Sequence, residues 1–205
     1  MQLILFTSND KFRSEIYIVI KMLESGLQTL HIKKPNFSRK QLSSYINQIP
    51  EKFHNRLVIH SHYSLLFKYN LKGIHLSRDI RRKTNYRNFL VFLVRRIKRQ
   101  SIISCSCHSI EKLIDLPKFY SYVLLSPMFK NGELNSDFNI STLENVIPQL
   151  DFNVYASSGI SLSNLEIIQN IGFKGLATMG SIWFNDEKQP IAHFKDFNNK
   201  LTSLS

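Results

Sequence analysis

The sequence predicts an α/β fold, a single-domain (β/α)8 TIM barrel over residues 1–205. Three observations predict it. Short apolar runs alternate with helical stretches eight times along the chain, and strict alternation implies parallel strands with right-handed crossovers. Several runs start apolar and turn polar at their carboxyl ends, as Leu57–Ile59 leads into His60-Ser61-His62 and Gly73–Leu76 into Ser77-Arg78-Asp79; ligands gather at that end of the strands in such folds. An open sheet of five strands would leave three units without a place.

The elements follow in order. The first strand is Gln2–Phe6, and its helix starts near Ser8 or Asp10 and stops at Gly26, with Ile16, Ile18, Val19, Ile20 and Leu23 as its apolar residues. The second strand is Thr29–Ile32, followed by Lys33, Lys34 and the blocking Pro35; Ser38 and Gln41 then form a capping box. The third strand is Leu57–Ile59, with a helical turn through Leu65, Leu66 and Phe67, and the fourth is Gly73–Leu76. A basic patch, Arg81-Arg82-Lys83, precedes a long helix near Asn85–Gln100, whose Phe89, Phe92, Leu93 and Ile97 are expected to face inward. The fifth strand is Ser101–Cys105, and Ser109 caps the helix after it. The sixth is Tyr122–Leu125, followed by a polar loop, Lys130–Asn139, and a helix opened by Ser141 and Glu144. The seventh is Asn153–Ala156, with Ser163 and Glu166 opening its helix and Gly172 stopping it. The eighth is Gly175–Thr178, and the last helix has Pro190 in its first turn and runs to about Leu201.

Composition narrows the function classes. Apolar residues at 43% and charged residues at 20% fit a folded globular chain and exclude disorder. No apolar run reaches the ~18 residues of a membrane span, and the N-terminus lacks the basic start of a signal peptide. Cys105 and Cys107 sit two apart, a poor spacing for a bridge, so a reducing, cytoplasmic setting without a membrane partner is expected. The net charge of +12 suits an anionic partner. Nucleic acid is the least favoured, because basic and aromatic residues are not interleaved. Self-association into a homo-oligomer is left open.

If the ring closes, the strand ends share one mouth, and four of them bring histidine: His31, His60 with His62, His75, and His108, five of the seven in the chain. Imidazole is suited to proton transfer near neutral pH. Alternation along a strand puts His31 with Lys33, His60 with His62, and Ser106 with His108 on shared faces, leaving Cys105 and Cys107 as buried filler. These rings with Asp79 make a weak magnesium site and a better transition-metal site. Ser157-Ser158-Gly159 and Gly180-Ser181 close the last two strands, where small residues let backbone N–H groups approach a phosphate.

Six segments, in order, resemble the thiamine phosphate synthase and TenI (thiazole tautomerase) family. GLQTLHIKKP is similar to a strand ending Gln-Leu-Arg-Glu-Lys, and RLVIHSHYSLLFKYNLKGIHLS to Ile-Ile-Asn-Asp through Gly-Val-His-Leu-Gly. SCSCHSIEKL is similar to Gly-Val-Ser-x-His-Ser, YVLLSPMF to Tyr-Val-x-x-Gly-Pro-Val-Phe, YASSGIS to Ala-Ile-Gly-Gly-Ile, and GFKGLATMGSIW to the last phosphate turn. The resemblance implies a transferase joining hydroxymethylpyrimidine pyrophosphate to thiazole phosphate with release of pyrophosphate, assisted by magnesium. It implies that Ser157, Ser158, Gly159, Gly180 and Ser181 hold the thiazole phosphate, with Lys33, Ser106 and His108 near the pyrophosphate and pyrimidine, and His75 among the substrate-binding residues. The magnesium carboxylates are degenerate: Ser61 stands at one and Ile80 at the other, with Asp79 one place away. Lys33 and Lys34 stand for the Arg and Glu of the second strand, and Lys130 is the nearest base in the loop after the sixth. A tautomerase using His31, His60, His62 or His108 is the second reading, although Pro127 replaces the TenI histidine. A catalytically inactive barrel that binds a phosphorylated ligand is the third.

Overall fold

Strands covered on both faces read as unbroken apolar runs, and such runs build the sheet here. In the computed structural model, which describes residues 1–8, 14–184 and 189–204, they are β1 (Gln2–Phe6), β2 (Leu30–Ile32), β3 (Leu57–Ile59), β4 (Gly73–Leu76), β5 (Ile102–Cys107), β6 (Tyr122–Leu125), β7 (Phe129–Lys130), β8 (Glu133–Leu134), β9 (Asn153–Ser157) and β10 (Gly175–Thr178). Eight of them close a barrel in the order β1-β10-β9-β6-β5-β4-β3-β2, while β7 and β8 form a separate hairpin. The parallel registers run His31 against Val58, Ile59 against Ile74, and His75 against Ser104. Chain packing defines two units, Met1–Leu5 with Ser106–Ser205, and Phe6–Cys105.

In the second unit, Leu57, Val58, Ile59, Ile74 and Ile103 are buried among helix residues such as Val19, Met22 and Ile46. In the first, Val123, Leu124, Ala156, Leu176 and Phe194 do the same. The expected caps at Ser38 and Ser109 form: Ser38 Oγ accepts from Gln41 N, and Ser109 Oγ from Lys112 N. Gly26 and Gly172 take the positive φ that ends their helices.

Several expectations are corrected. The first helix spans Glu15–Glu24 rather than starting at Ser8, whose N–H donates to Glu15 Oε1 at 3.0 Å; Asp10 lies outside the described residues. β5 runs on to Cys107. The basic patch belongs to a helix, Arg78–Arg82, and the long helix is Thr84–Ile97. Phe89, Phe92 and Ile97 point outward, 58%, 62% and 58% exposed, and Leu93 is half-buried. Leu90 and Val94 carry the buried face instead, because a four-residue apolar step was available on either side of this helix. Asn139 rather than Ser141 caps the helix Ile140–Val146, its Oδ1 accepting from Thr142 N at 3.1 Å. Ser161 and Asn164, not Ser163 and Glu166, form the capping box before the helix Leu165–Asn170. The polar loop after β6 contains the β7–β8 hairpin.

Gly175 stands where β10 meets β1, and a Cβ there would lie 2.0 Å from Gln2 O. Gly175→Ala is expected to lower the unfolding free energy by about 3 kcal/mol in urea melts. Gly180→Ala, with no heavy atom within 4 Å of its added carbon, is expected to be nearly neutral.

Candidate functional site

Within residues 6–105, three of the predicted histidines meet. His31 is buried on β2, His60 follows β3, half-buried, and His75 is buried on β4. Rings at these places turn inward because Leu30, Ile32, Ile74 and Leu76 pack the flanking positions. His31 Nδ1 and His60 Nε2 are 2.9 Å apart, so one ring donates to the lone pair of the other. His60 stacks on His75 with centroids 4.3 Å apart, and Phe6 closes the group edge-on at 5.0 Å from His31. His75 Nδ1 donates to Ser104 Oγ at 3.0 Å, and Ser104 Oγ donates to Ile74 O. The one O–H of Tyr63 is shared between the carbonyls of His60 and His75, both 3.0 Å from Oη, and Oη accepts from Ser77 N at 3.3 Å.

Burial fixes the charge state. It lowers all three imidazoles well below their ordinary value, since water no longer solvates the cation. His75 falls to about 3, pushed first by burial and then by the charges of Arg81 and Lys33. Lys33 also acts on His60, after burial and the neighbouring rings. The cluster therefore consists of neutral imidazoles, able to pass a proton between His31 and His60.

The other predicted residues of this half stand apart from that group. The strand reading that put His62 on a face with His60 fails: β3 ends at Ile59, His62 has φ 50°, and its Nε2 donates to Phe37 O at 2.7 Å. Lys33 is exposed, its N–H held by Thr7 Oγ1 at 3.0 Å and its Nζ 6.0 Å above the Phe6 ring. Lys34 is buried against Glu15 at 2.7 Å; burial raises that carboxyl although Lys34 draws it down. Asp79 is exposed in the first turn of the helix Arg78–Arg82. Among the described residues, the group of His, Cys, Asp or Glu with ligand atoms within 4.8 Å of one another is His31, His60 and His75, and Asp79 is not in it. Magnesium needs hard oxygen ligands. This donor set has none, so it does not fit that ion. Imidazoles suit softer metals, and the ligand nitrogens of these three rings lie close enough together to share one.

Sequence reasoning missed Tyr63, Ser104 and Arg81. Ser104 is two residues before Ser106 on β5, and so was visible by strand alternation. Arg81 was read only as part of a charged run. Its Nε is buried without a hydrogen-bond partner among the described residues.

Within residues 106–205, Cys107 is buried as expected, Ser106 is half-buried and His108 is exposed, its Nδ1 donating to Ser126 O at 2.7 Å. Lys130 pairs with Asp137 at 3.3 Å. Ser157 ends β9, and Ser158 and Gly159 turn the chain with φ 72° and 71°. Met128 N donates to Ser157 O and Phe129 N to Ser158 O. Only glycine fits at 159, because a Cβ would lie 2.2 Å from Phe129 O. Gly180 opens the short helix Gly180–Trp183 onto empty space. Ser181 Oγ donates to Ile160 O and accepts from Thr178 Oγ1 at 3.2 Å, which clasps the two small-residue turns together.

A family model described as thiamine monophosphate synthase matches residues 3–182. The thiamine-phosphate synthase of Dictyoglomus turgidum is 24% identical over 177 residues, covering 83% of this chain and 76% of that protein. The crystal structure of thiamine phosphate pyrophosphorylase from Bacteroides thetaiotaomicron superposes with a TM-score of 0.78 at 29% identity, over 98% of each chain. The enzyme of the same name from Pyrococcus furiosus gives 0.78 at 14% identity over 99% of this chain and 96% of its own, a likeness of fold. Both turns and the three-histidine strands lie within the matched span, and the chain belongs to the thiamine monophosphate synthase family.

Proposed function

We propose that this chain is a thiamine phosphate synthase. Its reaction breaks the bond between the pyrimidine methylene carbon and a diphosphate oxygen, joins that carbon to the thiazole nitrogen, and releases pyrophosphate. The observation that carries the reading is the family match from residue 3 to 182, which passes through both small-residue turns. Ser157, Ser158 and Gly159, with Gly180 and Ser181, hold the thiazole phosphate through backbone N–H groups and hydroxyls. Lys33 supplies positive charge for the departing diphosphate, while Ser106 and His108 contact the pyrimidine diphosphate. The rings of His31, His60 and His75 are neutral and bring no charge of their own to the diphosphate. No step is assigned to magnesium, which the donor set does not fit. No helix among the described residues is long and apolar enough to cross a membrane, and the proposed place of work is the cytoplasm.

The His31–His60 hydrogen bond of 2.9 Å favours a second reading, proton transfer on the thiazole as in TenI. Isomer exchange of the thiazole carboxylate, followed by NMR, is then expected and should disappear in His60→Gln; exchange that survives that change removes the relay.

For the transferase reading, hydroxymethylpyrimidine pyrophosphate and thiazole phosphate are expected to yield thiamine phosphate and pyrophosphate. No product, with or without a divalent ion, contradicts it. Gly180→Asp places a carboxylate in the open space beside the turn, and is expected to raise KM for thiazole phosphate by about tenfold or more with an unchanged melting temperature. An unchanged KM moves the phosphate elsewhere.

A further inference from the structure

We propose that His31, His60 and His75 together bind one divalent ion of the zinc and cobalt class through three imidazole nitrogens, with the fourth position left to water or an anion. The inference needs neither reading of the reaction given above.

β2, β3 and β4 are neighbours in the barrel, so the three rings come from adjacent strands. Among the described residues, theirs is the group of His, Cys, Asp or Glu whose ligand atoms all lie within 4.8 Å of one another. Four-coordinate zinc bonds nitrogen at about 2.0–2.1 Å, which sets tetrahedral ligands about 3.3 Å apart. His31 Nδ1 and His60 Nε2 already stand at 2.9 Å, with one proton held between the two nitrogens. An ion takes its place once that proton moves to the far nitrogen of its own ring, and both rings stay neutral. A spacing at the 4.8 Å limit has to close by about 1.5 Å. His60, half-buried just beyond the end of β3, is the ring placed to move.

The third ring is held in the tautomer that a metal needs. His75 Nδ1 donates to Ser104 Oγ at 3.0 Å, and Ser104 Oγ donates onward to Ile74 O. With the proton on Nδ1, the lone pair of His75 is on Nε2. Ligating imidazoles are oriented in this way, by a bond from the nitrogen that does not touch the metal. Tyr63 Oη, between the carbonyls of His60 and His75, holds those two backbones at one spacing. Neutral imidazole is the form that ligates, and burial keeps these rings neutral. Three imidazoles without a carboxylate favour zinc, cobalt, nickel or copper over magnesium or calcium. They leave the ion its full double charge, so an anion suits the open position. The ion and a proton relay exclude each other, since both use His31 Nδ1 and His60 Nε2.

Cobalt(II) titrated into the full chain, after EDTA has been used and dialysed away, tests this. A single equivalent is expected to give the strong visible absorption of four-coordinate cobalt. Zinc is expected to remove that absorption, and excess magnesium to leave it. His31→Gln, His60→Gln and His75→Gln are each expected to abolish it, and Ser104→Ala to weaken cobalt binding by about tenfold or more. His62→Gln, whose ring bonds Phe37 O outside the group, is expected to leave it unchanged. Melting temperatures confirm that each variant is folded, and His60→Gln, at the half-buried ring, decides the matter where the buried positions do not tolerate change. Four-coordinate absorption that is lost in His60→Gln and kept in His62→Gln upholds the proposal, whatever reaction the chain performs. No such absorption in the unaltered chain overturns it, as does absorption that survives His60→Gln or disappears in His62→Gln.

Discussion

Keeping three imidazoles uncharged, those of His31 and His75 buried and that of His60 half-buried, is the constraint around which the ends of β2, β3 and β4 are built. A protonated ring at His31 or His75 would be a cation out of reach of water, with Lys72 adding to the cost at His31 and Arg81 and Lys33 at His75. Neutral rings instead satisfy one another: His31 with His60, and His75 with Ser104. Tyr63 then ties the carbonyls of His60 and His75 together through one hydroxyl, so the loop after β3 cannot shift without breaking its bond to β4. The linkage has a definite sign. The unfolded chain binds protons on these residues near 6.5 and the folded chain does not, so their contribution to stability is full above that value. It is lost as pH falls toward about 3 for His75.

The two units of the chain, each taken by itself, meet different physical demands. Between residues 106 and 205, the turns at Ser158-Gly159 and Gly180-Ser181 depend on the backbone: positive φ, the absence of a side chain at 159, and one hydroxyl linking the turns. Of these positions, 159 tolerates no side chain, while 180 is open. Between residues 6 and 105 the demand is electrostatic, and the chain meets it with imidazoles that burial keeps neutral. The family relationship runs from residue 3 to 182 and so takes in both.

Much of this was legible in the sequence. Apolar runs with polar ends located each barrel strand, and three of the five rim histidines are neighbours because β2, β3 and β4 are paired in that order. Strand alternation could not foresee the turn at His62, where a non-glycine residue adopts φ 50° and removes its ring from the group. Periodicity could not choose between the Phe89–Phe92 and Leu90–Val94 faces, because both are apolar and only tertiary packing decides. The caps at Asn139 and Ser161 were missed because Ser, Thr and Asn crowd both helix starts, and several could serve. Arg81 was hidden within a run of exposed charge; that its Nε is buried is a fact of three dimensions alone.

The most direct test is the protonation state of the three rings, read by nitrogen-15 NMR of labelled histidine. The account predicts that His31, His60 and His75 show neutral-tautomer signals at and below the ordinary histidine value of 6.5, with His75 titrating only toward about 3. A titration near 6.5 at any of the three would contradict it, because burial would then not be keeping that ring neutral.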